Sequence, residues 1–152
     1  MALEFKLERR EPRRAAVIRM KMAQPEIGEK IGPPFGEVFG WLAKNGLPPA
    51  GPPFLRLMTL GSPEMDVEVG CPFSGEASGE GRLQVTELPG GEVATTVASG
   101  PYSDLPQAHM ELAAWIAQQW RTIRGAPWES YLNDPSTEPD PAKWLTEICY
   151  PV

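Results

Sequence analysis

The residues with most chemistry to offer lie near the end of the chain. Glu147 sits in the run Trp144-Leu145-Thr146-Glu147-Ile148-Cys149-Tyr150, where an ionised carboxylate loses much of its hydration. Burial raises the pKa of such a group, a bound cation lowers it again, and an aromatic wall adds a cation-π attraction of roughly 0.5 to 2 kcal/mol. These effects favour a flat organic cation over a hydrated metal ion. Strand alternation groups Glu147 with Leu145 and Cys149, opposite Thr146 and Ile148, and leaves open whether that face meets a pocket or solvent. Glu68, in Asp66-Val67-Glu68-Val69-Gly70, is a second candidate carboxylate in less enclosed company.

Tyr131, Tyr102, Trp144, Trp128, Phe54 and Trp41 are candidates for an aromatic lining, in which rings supply contact area and a hydroxyl supplies orientation. Ordinary core packing is the better account of Trp41 and Trp128. Tyr131 and Tyr102 are the stronger ligand contacts, because a buried phenol must find a polar partner. His109, beside Ala108 at the border of an apolar helical stripe, reads as a partly exposed helix residue, not a catalyst or haem ligand. Cys71 and Cys149 each stand alone in a strand-like run and read as buried thiols. Two distant Cys and one His do not make a zinc site without carboxylates, so neither metal nor cofactor is expected.

The elements that must position these groups are short. Leu3, Phe5 and Leu7 alternate with Glu4, Lys6 and Glu8 as a half-buried strand ended by Glu11-Pro12, and Ala15 to Met22 follows as its hairpin partner. After a turn-like stretch around Ile27 and Ile31, Pro33-Pro34 opens a helix through Phe35, Val38, Phe39 and Leu42 that closes near Asn45-Gly46. Phe54 to Leu60 and Met65 to Gly70 read as strands about a Gly61-Ser62-Pro63 turn. The order then begins again with Leu83 and Val85, a Pro89-Gly90-Gly91 turn, and Val93 to Ala98. A helix from about Asp104 to Arg124 follows, with an apolar stripe of Leu105, Ala108, Leu112, Ile116, Trp120 and Ile123. Strands at Trp128 to Leu132 and Lys143 to Tyr150 complete the second set.

The two sets match in content as well as order. Gly51-Pro52-Pro53-Phe54 stands against Gly125-Ala126-Pro127-Trp128, and Asp66 to Phe73 against Leu145 to Val152, with Glu and Pro four residues apart in both. The spacing that pairs Glu68 with Glu147 also sets Ala15 to Ile18 on Ala94 to Val97. The fold expected is α+β: two βαββ-type repeats, about residues 1–76 and 80–152, related by a pseudo-two-fold axis within one domain. Neither copy covers its own apolar face, so pairing would form the core and leave a cleft between them.

Composition bounds the partners. The 152 residues are 41% hydrophobic and 22% charged, ordinary values for a folded domain. The net charge is −6, yet residues 1–21 hold seven Lys/Arg against three Glu, so the remainder is strongly acidic and repels phosphate. Arg9, Arg10, Arg13 and Arg14 read as a solvated hairpin, not a nucleic-acid arm, and direct DNA binding is not expected. No run approaches the roughly 20 apolar residues of a membrane span, and the opening residues lack a signal-peptide stretch, pointing to a cytoplasmic protein.

The chain resembles the GyrI-like small-molecule-binding family, the effector-binding half of AraC-type and MerR-type multidrug regulators. The resemblance spans nearly the whole chain. It is carried by Gly51 to Phe54, Asp66 to Gly70, Gly100-Pro101-Tyr102, Tyr131-Leu132-Asn133-Asp134-Pro135 and Trp144 to Val152. It implies a mainly antiparallel sheet of about eight strands with two main helices and a central groove for hydrophobic, often cationic compounds. It also implies an acidic residue in the final strand as counter-charge, a place Glu147 matches. There is no room here for the helix-turn-helix of those regulators, so the chain looks like a stand-alone member.

Three functions are compatible with this reading. The first is capture of a small hydrophobic, cationic aromatic compound. The second is hydrolysis of strained electrophilic, cyclopropanoid-type natural products, with Glu147 and Tyr131 as the working groups; no nucleophile elbow or phosphate loop supports other hydrolysis. The third is inhibition of a DNA-processing enzyme such as gyrase by an acidic surface. A protein partner or a homodimer is compatible with all three.

Overall fold

The computed structural model describes residues 3–23, 30–59, 64–133 and 135–152. It contains β1 (Lys6–Arg10), β2 (Arg13–Met22), α1 (Gly32–Lys44), β3 (Phe54–Leu57), β4 (Met65–Pro72), β5 (Leu83–Leu88), β6 (Gly91–Ser99), α2 (Leu105–Gln118), β7 (Trp128–Tyr131) and β8 (Leu145–Pro151). Short 3-10 turns cover Tyr102–Asp104 and Pro141–Lys143. The fold is α+β, with antiparallel strand pairing and two main helices. The turns expected around Ile27 and at Gly61-Ser62-Pro63 lie outside the described residues, as does Asp134.

The chain divides into two compact units, Glu11–Gly90 and Met1–Arg10 with Gly91–Val152. The first holds strands in the order β5-β2-β4-β3 with α1, the second β1-β6-β8-β7 with α2. Each unit takes its edge strand from the other half of the sequence. The expected β1–β2 hairpin does not form: Lys6 to Arg10 pair with Thr95 to Gly91, and Arg13 to Ile18 pair with Leu88 to Leu83. Turn chemistry supplies the reason. Only Glu11 and Pro12 separate the strands, and a two-residue hairpin loop needs positive φ at its first residue or at both. Pro is fixed near −65°, and Glu is a poor occupant of positive φ.

In the first unit Ala16, Ile18, Val38, Trp41, Leu42, Cys71, Phe73 and Leu83 form the core beneath α1. In the second, Ala94, Ala98, Leu105, Ala108, Leu112, Ile116, Ile148, Tyr150 and Val152 do so beneath α2. Each fully buried large apolar side chain contributes about 1.5–3 kcal/mol of transfer free energy, which makes these clusters the main source of stability. Gly70 is required by a close approach: a Cβ there would stand 2.5 Å from the Ala16 carbonyl and 2.9 Å from the Phe54 ring. The equivalent place in the second unit is Cys149.

Both helices begin on proline, which sacrifices nothing where amides lack intrahelical acceptors. α1 ends as expected, with Gly46 at φ 64° and the Leu47 amide donating to Leu42. α2 stops at Gln118, short of the expected Arg124. The Arg121 amide bonds back to Ile116 and the Trp120 amide to Ala117, closing the helix with Trp120 at φ 60°. Trp120 is therefore turned out of the stripe to 95% exposure, and Ile123 lies beyond the helix.

Candidate functional site

Strand parity in the α2 unit sorts the candidate groups onto two faces. Ile148, Tyr150 and Val152 join the core under α2, and Thr146 shares their parity; Leu145, Glu147 and Cys149 point the other way. On β7, Glu129 is registered against Ile148 and Tyr131 against Thr146, so both face the helix, whereas Ser130 is opposite Glu147. His109 projects from α2 into the same space.

These side chains make a hydrogen-bonded series. The Tyr131 hydroxyl donates to Glu129 Oε1 at 2.9 Å, His109 Nε2 lies 2.7 Å from Glu129 Oε2, and His109 Nδ1 lies 2.7 Å from the Tyr150 hydroxyl. Glu129 is 7% exposed and Tyr131 8%. Rings continue the assembly: Tyr102 sits 5.5 Å from Tyr131, centroid to centroid, and stacks on Trp144 at 4.7 Å. The indole N–H of Trp144 is held by the Glu138 carbonyl at 2.7 Å, which fixes the plane of that ring. The arrangement is a buried anion flanked by phenols and an imidazole, with a stacked aromatic pair beside it.

Burial is the larger reason, and the Glu129 charge the second, why the Tyr131 phenol is pushed well above the usual tyrosine range and Tyr150 up to about 12. Both stay protonated at neutral pH, available as donors. The Thr146 hydroxyl, registered opposite Tyr131, is buried and has no hydrogen-bond partner among the described residues.

The carboxylate favoured by sequence is elsewhere. Glu147 lies on the face turned away from α2 and is gripped by two hydrogen bonds from Arg10, at 3.0 and 2.9 Å. Arg10 is its countercharge, and Tyr131, registered against Thr146, points to the other face of the sheet. Arg10 is not solvated either: its side chain is 16% exposed and also meets Glu8. Cys149 completes that cluster, 3.4 Å from Glu147 Oε1, its thiol raised by burial and then by the Glu147 charge.

Glu68 is more enclosed than its sequence neighbours imply, at 1% exposure, and is paired with Arg19 at 2.8 Å and Arg56 at 3.8 Å. Trp41 packs edge-on against Phe73 in the α1 core, and Phe54 is fully buried against Gly70; Trp128 is 3% exposed. So the structure brings Tyr131, Tyr102 and Trp144 together, and leaves Glu147, Glu68, Trp41, Phe54 and Trp128 outside that cluster. Glu129, Tyr150 and His109 complete it and were not read as site residues. A signal for Glu129 was present in the repeat: extending the match of Phe54 to Trp128 by one residue puts Glu129 where the other copy has Leu55.

The fold is an α+β arrangement of two similar units, and among the described residues the second unit carries a polar, aromatic-walled cluster under its helix. The chain belongs to the GyrI-like small molecule binding domain family, which matches residues 3–152. No curated protein matches it significantly. Among solved structures it is similar to the C-terminal domain of EcmrR, with 24% identity, a TM-score of 0.88 and coverage of 99% of this chain and 98% of that one. It is similar also to EcmrR in its DNA complex (23%, TM-score 0.86), where 98% of this chain spans 57% of the longer EcmrR chain. A third is SAV2435 bound to tetraphenylphosphonium (16%, TM-score 0.66), with 98% and 93% covered. No helix among the described residues is long and apolar enough to cross a membrane.

Proposed function

We propose that this domain binds a small hydrophobic aromatic cation beside Glu129, with Tyr102, Tyr131 and Trp144 supplying ring contacts. One observation carries the reading. Glu129 is a buried carboxylate whose only ion-pair partner among the described residues is a histidine, whereas Glu147 and Glu68 are each held by arginine. A buried anion without a permanent cation is costly unless a charged ligand supplies one. The binding of tetraphenylphosphonium by SAV2435, a protein of the same fold, supports the choice of ligand class.

The chain carries five Trp, one of them in the stacked pair, so intrinsic fluorescence reports on the site. Titration with tetraphenylphosphonium is expected to quench and saturate. Glu129→Gln keeps the shape and removes the charge; it is expected to weaken binding at least about tenfold, the loss of one charge-assisted contact of about 1.5–3 kcal/mol. Unchanged affinity in that variant would refute the assignment.

The same hydrogen-bonded series supports a second reading, hydrolysis of a strained electrophile. Here Glu129, not Glu147, would orient and deprotonate water beside Tyr131. Product formation that is lost in Glu129→Gln while binding survives would favour it.

A further inference from the structure

His109 is the chain's one histidine, and its placement deepens the reading of Glu129 as the ligand's counter-charge, on which this inference rests. Its side chain is 13% exposed and makes two 2.7 Å contacts, one per ring nitrogen. A neutral ring satisfies both: Nε2–H donates to Glu129, and Nδ1 accepts from the Tyr150 hydroxyl. A protonated ring satisfies both as well, because Nδ1–H donates and the Tyr150 oxygen accepts. The heavy atoms need not move between the two states. Only the charge beside Glu129 changes.

The layer under α2 that receives His109 presents Glu129 and Tyr131 from β7, Tyr150 with Thr146 and Ile148 from β8, Ala94, Thr96 and Ala98 from β6, Leu3 and Phe5 from the segment before β1, and Tyr102 from the 3-10 turn. One turn away on its own helix lie Leu105 and Leu112. Between pH 5 and 8 an imidazole is the side chain whose ordinary titration falls in range. Both tyrosines next to the site titrate far above it. The carboxylates of Glu147 and Glu68 are neutralised by arginines, whose charge is permanent.

We propose that His109 sets the charge selectivity of the site: neutral, it leaves the Glu129 charge open to a cationic ligand, and protonated, it becomes the cation of Glu129 and excludes one. Proton and ligand then compete for the same carboxylate. Affinity for a permanent cation falls as pH drops through the imidazole range. By linkage, binding at the low end of that range expels a proton.

Tetraphenylphosphonium is the suitable probe, because its own charge does not titrate. Its Kd is measured by fluorescence from pH 8 to pH 5.5 for the native chain and for His109→Gln, which keeps a donor without the proton switch. Proton release is measured in parallel by calorimetry in buffers of different ionisation enthalpy. The native Kd is expected to weaken about tenfold over that range, with release of up to about one proton, and the His109→Gln profile to be flat with pH whatever its absolute affinity. A native Kd that holds constant, binding without proton release at the acid end, or a slope retained in His109→Gln would overturn the proposal. Absence of binding at every pH would instead remove the Glu129 reading, and this one with it. The native pH profile and proton release stand even where the variant fails to fold.

Discussion

In the α1 unit the helix-facing residues of β3 are Leu55 and Leu57; in the α2 unit the residues at the same ladder register of β7 are Glu129 and Tyr131. The neighbouring positions differ in the same sense. Cys71 on β4 corresponds to Tyr150 on β8, and four residues past the first buried residue of each helix stand Val38 and His109. All four positions of the α1 unit are buried and packed as core, with Leu55 and Val38 at 0% exposure. The duplication therefore supplies its own control. One copy shows what the layer looks like when stability alone decides, and the other carries a carboxylate, two phenols and an imidazole in the same places. Polar groups so placed gain little stability over an apolar filling, and their assembly at one site points to a ligand.

The largest effect should come from forcing one copy to resemble the other halfway. Leu55→Glu puts an acid under α1 without histidine or tyrosine to receive it, and should destabilise the chain by about 3–5 kcal/mol, read as a fall in the urea midpoint. A cost below about 1 kcal/mol would mean that the α1 layer admits polar groups and that the contrast has little meaning.

A smaller effect follows from the tyrosines. Tyr150 is raised to about 12, burial first and the Glu129 charge second, so the folded state holds its phenolic proton after the unfolded chain has released its own near pH 10. The stabilisation is fully present below about pH 10 and is lost as pH rises through about 12. It is worth about 2 kcal/mol, and chemical denaturation across pH 9 to 12 should show the decline. Glu129→Gln should shrink it. A stability that is flat across that range would separate the phenol from the buried anion.

Much of the architecture was legible because local chemistry decides it. Pro33-Pro34 and Asn45-Gly46 bracket α1, β6 and β8 follow their apolar runs, and the repeat appears as matched Gly-Pro and Glu-Pro spacings. What escaped depends on partners distant in sequence. The β1–β2 pairing looked local but was forbidden by Glu11-Pro12, and α2 closes early because Trp120 takes the left-handed position usually left to glycine. Glu129 escaped for a different reason: all four residues of Trp128–Tyr131 are buried, so alternation gives no inward or outward sign there. Glu147 drew attention through its apolar neighbours, but its countercharge, Arg10, lies at the opposite end of the chain. His109 looked peripheral on its helix because both its partners come from β7 and β8.

The most direct test of the central claim is a crystal structure with tetraphenylphosphonium bound. The phosphonium is expected within about 6 Å of the Glu129 carboxylate and the Tyr102 and Trp144 rings, the range over which cation-π attraction acts. A phosphonium seated instead against Glu147, with the Arg10 pair broken and Glu129 still bound to His109, would contradict it.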